Sequence, residues 1–169
     1  MSKEHKPVKH SFVYSVIEDF VKIDSETKKQ LKKIKLKKDK NLPDMNFTSY
    51  WDDQQEKVLK DLLNRVLKDI FLKYKITLKE CWVQKYFKNN YHGLHTHYPE
   101  YQSFIWFIEG DQNSSPIKFY DVGWPLVNTN KSIVINFNPG TLLIFPGFLP
   151  HEVAVNTNNN RLVVSGNVI

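Results

Sequence analysis

Four of the six histidines lie at positions 92, 95, 97 and 151, and three of them have a spacing that suits a metal site. His95 and His97 are two residues apart, and on an extended chain such side chains point to the same face. Both imidazoles could therefore approach one ion, with His151 brought in from a distant strand. Imidazole binds iron, copper, nickel and zinc, so the ligand type alone does not name the metal. The same pattern would also fit two surface histidines and one core histidine.

Arg161 is the second candidate group, because it begins a segment that otherwise has the composition of a buried strand. A buried guanidinium needs an anionic partner, since an unpaired buried charge is very costly. Its planar fork holds a carboxylate through two hydrogen bonds, which lysine does not reproduce. Only Arg65 and Arg161 are arginines among 24 basic residues. The partner is predicted to be either a bound carboxylate or one of the protein's own acids.

The second half of the chain must position these groups, and its residue pattern is typical of a β-protein. Short runs rich in Val, Ile, Phe, Tyr and Trp are separated by Asn, Gly and Pro clusters, a pattern typical of strands joined by turns. The predicted strands are 81–87, 103–108, 117–120, 132–137, 141–145 and 161–168. Many short strands with this spacing indicate a sandwich or jelly roll, which can bring distant strands together at one mouth.

The first half is predicted to be mainly helical support for that sheet. Apolar residues recur every three or four positions over 52–73, which predicts an amphipathic helix with a broad buried face. A basic helix is expected to begin at Asp24 or Ser25 and to end before the break at 41–44. A short strand is predicted over 12–17. We expect a flexible tail at 1–10 and one domain over 11–169, with support in 11–75 and the β-core in 76–169.

Length, hydropathy and cysteine content exclude several classes of protein. The chain has 169 residues and a mass of 20.0 kDa, which favours one domain. A mean hydropathy of -0.47 and the lack of a long apolar run exclude a membrane span. The N-terminus has no apolar stretch typical of a secretory signal. Cys81 is the single cysteine, so there is no disulfide framework. These features predict a cytoplasmic protein, in a host cytoplasm if it is phage-encoded.

The formal net charge of +6 comes from one peripheral segment. Residues 22–40 contain nine lysines against three acidic residues, so the rest of the chain is balanced. A run of this kind is typical of a solvated helix face. Nucleic-acid binding is therefore possible for the segment but is not favoured.

Taken together, the motifs resemble those of the Fe(II)/2-oxoglutarate-dependent oxygenase superfamily. The similar stretches read W-V-Q-K-Y-F-K-N-N-Y-H-G-L-H-T-H over 82–97, S-F-I-W-F-I over 103–108, N-P-G-T-L-L-I-F-P-G-F-L-P-H over 138–151 and R-L-V-V-S-G-N over 161–167. The sequence is most similar to the small 2-oxoglutarate/Fe(II) oxygenases of phage and bacterial genomes, and more distantly to prolyl-hydroxylase-like enzymes. Residues 1–75 add no family signature.

The resemblance implies a double-stranded β-helix, a cupin-like jelly roll, backed by helices and holding iron at its mouth. His95 would be the first iron ligand and His151 the distal one, while Arg161 would pair with the far carboxylate of 2-oxoglutarate. Tyr86 would hydrogen-bond to that carboxylate, and Tyr91 lies where relatives contact substrate or co-substrate. Ordinary strand packing is the alternative for both tyrosines.

One position departs from the commonest family motif, HxD, because residue 97 is histidine. We favour His97 as the third ligand, which gives a three-histidine face, because its side-chain direction matches that of His95. Alternatively, Glu100 or Asp121 supplies a carboxylate, or the coordination position stays open. His92 is a less favoured substitute, since on a regular strand its odd spacing from His95 points it elsewhere.

The resulting prediction is a dioxygenase that uses Fe(II), 2-oxoglutarate and O2 to hydroxylate an unidentified small molecule or protein side chain, with release of succinate and CO2. Two alternatives remain open: a cupin-like three-histidine metalloenzyme that does not use 2-oxoglutarate, and a non-catalytic binding or virion module on the same fold. Neither the substrate nor the oligomeric state follows from the sequence. Four aromatic residues are candidates for the pocket wall: Trp106, Phe119, Trp124 and Phe148.

Overall fold

The computed structural model describes residues 14–38, 47–123, 127–158 and 160–169. The N-terminal half contains three helices and three short strands: β1 (Ile17–Phe20), α1 (Ser25–Lys32), β2 (Lys37–Lys38), β3 (Phe47–Thr48), α2 (Asp53–Val66) and α3 (Lys68–Tyr74). The C-terminal half contains eight strands: β4 (Leu78–Tyr86), β5 (His92–His95), β6 (Gln102–Glu109), β7 (Ile117–Val122), β8 (Val127–Ile135), β9 (Thr141–Pro146), β10 (His151–Val153) and β11 (Arg161–Val168). None of the helices in these ranges combines the length and the apolar character of a membrane span.

The strands form two antiparallel sheets that face each other. The larger sheet has the order β1-β9-β6-β11-β4-β3-β2, and the smaller has the order β5-β10-β7-β8. The chain therefore crosses repeatedly from one sheet to the other, as in a jelly roll. The predicted fold class, a mainly β double-stranded β-helix backed by helices, is confirmed.

Strand alternation separates the core into two clusters. On β4, Cys81 and Val83 pack against the helices, where they join Leu59 and Leu63 of α2. The intervening side chains of β4, such as Tyr86, point into the space between the two sheets. The larger sheet is thus buried on both faces, and its inner face forms one wall of the cavity described below.

The helices begin where predicted but differ in extent. Asp24 caps α1 by accepting a 2.7 Å hydrogen bond from the Thr27 backbone N–H. This helix ends at Lys32, and the predicted break at 41–44 lies outside the described residues. The helix predicted over 52–73 is two helices, because the buried Leu67 leaves helical geometry between α2 and α3. Leucine is a strong helix former, so the sequence gives no signal for this break.

Several strands differ from the predictions. The strand expected over 12–17 begins at Ile17 instead and pairs with β9, while residues 12 and 13 lie outside the described ranges. Strand β8 is longer than predicted, beginning at Val127 within what was expected to be a loop. Strands β5 and β10 were not predicted, since each is short and interrupted by polar residues. These two strands carry the histidines.

Candidate metal centre

The pairing of β5 with β10 brings two of the histidines face to face. His151 is the register partner of His95 on one side and of Phe119 on the other. His97 follows β5 directly, and its backbone N–H donates a 2.7 Å hydrogen bond to the Gly147 carbonyl. Residues 54 positions apart in the sequence therefore meet at one end of the smaller sheet.

The three imidazoles converge tightly enough for one ion. A ligand nitrogen from each of His95, His97 and His151 lies within 4.8 Å of the other two. The ring centroids are 4.2 Å apart for His95 and His151, 5.2 Å for His97 and His151, and 5.3 Å for His95 and His97. Three nitrogens at such separations can bind one transition-metal ion and leave its remaining positions open.

Backbone carbonyls fix the orientation of two rings. The Nδ1–H of His95 donates to the Gly93 carbonyl at 2.8 Å, and that of His151 donates to the Leu149 carbonyl at 2.9 Å. Each ring therefore keeps the lone pair of Nε2 for a ligand, which is the usual arrangement of metal-binding histidine. His151 is fully buried, and its Nε2 has no hydrogen-bond partner in the structure. A bound cation would satisfy this atom.

A close crossing of two loops holds His97 in place. The Gly147 N–H donates a 2.9 Å hydrogen bond to the Tyr101 carbonyl, so Gly147 is bonded to the His97 loop on both sides. A Cβ at position 147 would lie 2.3 Å from the Tyr98 carbonyl oxygen, so only glycine fits here. The ring of His97 also stacks on Trp82 of β4, with centroids 5.9 Å apart.

A fourth histidine, His92, lies against one of these three, His95. Between the pairs His151–His95 and Val153–His92, β5 has one residue more than β10, which is a β-bulge. The extra residue turns His92 and His95 toward the same side, and their rings stack with centroids 3.9 Å apart. The prediction that His92 points elsewhere is therefore wrong, because it assumed a regular strand.

Burial lowers the pKa of all four imidazoles and therefore favours their neutral form. Burial, followed by the charges of neighbouring groups, lowers the pKa of His92 to about 3, and burial lowers that of His97 to about 4. Burial also lowers the pKa of His95 and brings that of His151 well below 6.5. Neutral imidazole is the form that binds a metal ion, so the cluster is ready to accept one without losing protons.

Arg161 is fully buried at the opposite end of the same cavity. Its Nε–H donates a 3.0 Å hydrogen bond to the Ser115 carbonyl, whereas Nη1 and Nη2 form no hydrogen bond of normal geometry with the described residues. The guanidinium lies 4.4 Å from the centre of the Tyr86 ring and near the rings of Phe107 and Phe137. Burial lowers its pKa, and Tyr86 opposes that effect. No acidic side chain among the described residues forms an ion pair with it.

Asn156 holds the backbone around Arg161. Its side-chain carbonyl accepts a 3.0 Å hydrogen bond from the Ser115 N–H, and its amide nitrogen donates to the Tyr86 carbonyl at 3.3 Å. Asn156 thus joins the ends of β4 and β7 beside the first residue of β11. This fully buried amide was not predicted, because the sequence around it reads as a polar turn.

The histidines and Arg161 line one narrow cavity between the sheets. Its walls comprise Trp82, Gln84, Tyr86, His92, His95, His97, Ile105, His151, Val153, Arg161, Val163 and Ser165. Gln84, Tyr86 and Ser165 add polar groups to the floor. Gln84 and Ser165 were not predicted, although alternation along β4 places Gln84 on the same face as Tyr86.

The other predicted site residues lie outside this cavity. Tyr91 precedes β5, its side chain is 41% exposed and it does not line the cavity, so its contact with substrate or co-substrate remains a prediction. Glu100 is exposed in a turn. Asp121 accepts a hydrogen bond from the Tyr14 hydroxyl and lies 3.9 Å from the Lys131 ammonium. The geometry therefore favours His97 over these two carboxylates, and its role as a metal ligand remains a prediction.

The four aromatic residues predicted to line the pocket wall also differ in position. The prediction for Trp106 is wrong, because its side chain faces the helices on the outer side of β6. The ring of Phe119 lies 5.6 Å from that of His151 and separates the cavity from a groove of about 390 Å³. Phe148 is 39% exposed and contacts Tyr14 at the edge of this groove. Trp124 lies outside the described residues.

Comparisons with known proteins identify the fold. No protein-family model matches the sequence, and no curated protein matches it. Solved structures do match. HygX from Streptomyces hygroscopicus, with nickel, 2-oxoglutarate and hygromycin B bound, gives a TM-score of 0.67 at 12% identity, covering 92% of this chain and 82% of HygX.

Two prolyl hydroxylases are also similar. A Pseudomonas putida prolyl-4-hydroxylase gives a TM-score of 0.58 at 14% identity, covering 92% of both chains. The viral collagen prolyl hydroxylase of Paramecium Bursaria Chlorella virus-1, in complex with 2-oxoglutarate, gives 0.59 at 9% identity, covering 90% of this chain and 94% of that one. At these identities the likeness shows a shared fold, the double-stranded β-helix of 2-oxoglutarate/Fe(II) oxygenases.

Proposed function

We propose that this protein is an Fe(II)- and 2-oxoglutarate-dependent dioxygenase that hydroxylates an unidentified substrate and releases succinate and CO2. One observation carries the proposal: three converging imidazoles and a fully buried arginine, which has no acidic partner among the described residues, share a single cavity on this fold. The first group suits a transition metal, and the second suits a carboxylate.

The residues fit an iron site. His95, His97 and His151 would hold the ion through three nitrogens, two of them from rings whose Nδ1–H is already used. When bound, the metal would supply the activation of O2 that couples decarboxylation of 2-oxoglutarate to hydroxylation of a substrate C–H bond. The protein's own contribution is to orient the reactants and to keep the site dry. The structures of HygX with nickel and 2-oxoglutarate support this choice.

Arg161 favours 2-oxoglutarate use over a three-histidine metalloenzyme without this co-substrate. Its terminal nitrogens have no hydrogen-bond partner, and a buried charge in this state is costly. A carboxylate that accepted from both nitrogens would remove the cost through a paired, charge-assisted contact. Tyr86, whose ring lies against the guanidinium, is positioned to contribute to the same contact. The second carboxylate and keto group of the diacid would then face the imidazoles.

The groove beyond Phe119 is the proposed place for the substrate. It begins at Phe119 and Leu149, next to His151, and continues between Tyr14, Lys131 and Ile133. Its walls are largely apolar with a few polar groups, which suits either a small molecule or a protein side chain.

Anaerobic titration with Fe(II) and 2-oxoglutarate tests the proposal. Chelation of the metal by the keto acid produces a weak visible metal-to-ligand band, which we expect for the wild-type protein. His151→Ala removes a metal ligand and Arg161→Ala removes the carboxylate partner, so both variants should weaken the band. Arg65→Ala is the matched control, because Arg65 is exposed on α2 and donates a hydrogen bond to Gln30, away from the cavity.

Oxygenation of the same sample distinguishes the remaining alternatives. A dioxygenase forms succinate from 2-oxoglutarate, whereas a non-catalytic module on this fold forms none. A three-histidine enzyme of another type would bind the metal without the visible band, and Arg161→Ala would leave its metal affinity unchanged. A wild-type protein that binds Fe(II) but shows no band would contradict the proposal.

A further inference from the structure

The cavity between the imidazoles and Arg161 is too small for the co-substrate that the proposed function requires. It has a volume of about 20 Å³, which is room for roughly one water molecule. A five-carbon dicarboxylate is far larger. Some side chain must therefore move before the keto acid can reach both the metal ligands and Arg161.

His92 is one of the side chains that line this space, and it contacts groups on two sides of it. Its ring stacks on that of His95, one of the three candidate ligands, with centroids 3.9 Å apart. Its Nδ1 lies 3.4 Å from the Tyr86 hydroxyl, and Tyr86 in turn packs against the Arg161 guanidinium. His92 thus spans the path from the metal ligands to the arginine.

The polar groups around His92 are arranged as if for an anion. The Ser165 hydroxyl donates a 3.0 Å hydrogen bond to Gln84 Oε1, which leaves the Gln84 amide N–H groups directed at His92 Nδ1, 3.5 Å away. Because an amide N–H can only donate, Nδ1 acts as an acceptor toward Gln84, and the Tyr86 hydroxyl lies 3.4 Å from the same atom. A neutral imidazole lone pair therefore stands where donors from Gln84 and Tyr86 meet, beside the two unpartnered Arg161 nitrogens.

We propose that His92 is the gate of the co-substrate pocket: its ring lies in the pocket before the keto acid binds and swings away when the acid binds. The carboxylate and keto oxygens then take over the donors of Gln84 and Tyr86. The movement is local, because it requires only rotation of the His92 side chain about its own bonds. This inference rests on the proposed function, since it takes the ligand to be 2-oxoglutarate.

Calorimetry on zinc-loaded protein tests the gate without turnover. His92→Ala is expected to bind 2-oxoglutarate roughly three- to tenfold more tightly than wild type, because the cost of unstacking two rings disappears. Gln84→Leu should weaken 2-oxoglutarate binding roughly three- to tenfold, because one donor is lost.

Two control variants separate the effect of the ring from general damage. His92→Phe keeps a ring that must be moved, so it should bind 2-oxoglutarate no more tightly than the wild type. Leu94→Ala lies on the same strand, half exposed and outside the cavity, and should behave as wild type. In the NMR spectrum of the zinc form, the proton contacts between the His92 and His95 rings should disappear when 2-oxoglutarate is added.

The contrary outcomes are distinguishable from failure of the proposed function. If His92→Ala binds 2-oxoglutarate equally or more weakly at unchanged zinc affinity, the gate proposal is wrong, whereas the proposal that the site binds 2-oxoglutarate is unaffected. Persistence of the ring contacts in the complex would also overturn the gate. If the wild type and His92→Ala both hold zinc but neither binds 2-oxoglutarate, the proposed function fails and the gate fails with it.

Discussion

Individual residues at this site have buried polar atoms whose lack of a hydrogen-bond partner lowers the stability of the protein unless a ligand binds. The guanidinium of Arg161 has one hydrogen bond, to Ser115, and two nitrogens without a partner in a fully buried position. The Nε2 atom of His151 is in the same state. Unsatisfied buried polar atoms are uncommon in folded proteins, and their concentration at one cavity indicates a binding site.

Replacing Arg161 with an apolar residue should separate stability from function. We expect Arg161→Met to raise the free energy of unfolding of the metal-free protein by roughly 1–2 kcal/mol, since the buried charge is removed while most of the packing volume remains. Binding of 2-oxoglutarate should be abolished, and zinc affinity should remain. Urea unfolding and calorimetry measure these quantities.

The conservative variant and a surface control complete this test. Arg161→Lys keeps the charge but not the fork, so it should weaken 2-oxoglutarate binding and bring no gain in stability. Arg65→Met on the exposed face of α2 should change stability by less than about 0.5 kcal/mol. A clear loss of stability in Arg161→Met would show that the arginine supports the core.

At the scale of elements, the sequence predicts what has a regular period and misses what departs from it. The apolar stripe of α2 and the long strands β4, β6 and β11 were predicted because their burial follows helix or strand spacing. Strands β5 and β10 have four and three residues, too few to show a period. The bulge that reorients His92 depends on the pairing of these strands, so local sequence does not reveal it.

The loop crossing at Gly147 links two elements that carry ligands, and its disruption should affect both. In Gly147→Ala the new methyl group would collide with the Tyr98 carbonyl oxygen, only 2.3 Å away. We expect a loss of roughly 1–3 kcal/mol in stability. The displaced His97 should also lower zinc affinity roughly tenfold. Thermal unfolding and zinc titration provide the measurements.

Gly93→Ala is the matched control for this substitution. A Cβ at Gly93 would meet nothing closer than the Tyr91 ring, at an ordinary contact distance of 3.9 Å. This variant should keep the zinc affinity of the wild type. Equal effects of the two substitutions would mean that the close crossing does not position His97.

At the scale of the whole molecule, the fold class could be predicted while the strand order could not. The alternation of buried residues identifies β11 as a core strand, but its place between β4 and β6 depends on pairings with residues far away in the sequence. The site is likewise predictable from the sequence only in part. His95, His151 and Arg161 were identified by residue type and by resemblance, whereas Gln84, Asn156 and Ser165 join them only through the packing of the two sheets.

The buried histidines also make the stability of the whole molecule depend on pH. In the unfolded chain a histidine has a pKa near 6.5, whereas in the folded protein the values for His92 and His97 are about 3 and about 4. Between these limits the unfolded state binds more protons than the folded state. Stability therefore falls as the pH falls through this window, by up to about 1.4 kcal/mol per pH unit for each such histidine.

We expect metal-free protein to lose stability steadily between about pH 6.5 and about pH 4, as measured by urea unfolding at a series of pH values. His97→Gln cannot take up a proton at this position, so its slope should be lower by about 1.4 kcal/mol per pH unit. Saturating zinc should stabilise the protein at pH 7 by mass action and lose this effect at low pH, because protons compete for the imidazoles. If the free energy of unfolding of the metal-free wild type does not change with pH, the histidines are accessible to protons in the folded state. The description of the cluster as closed and dry would then be wrong.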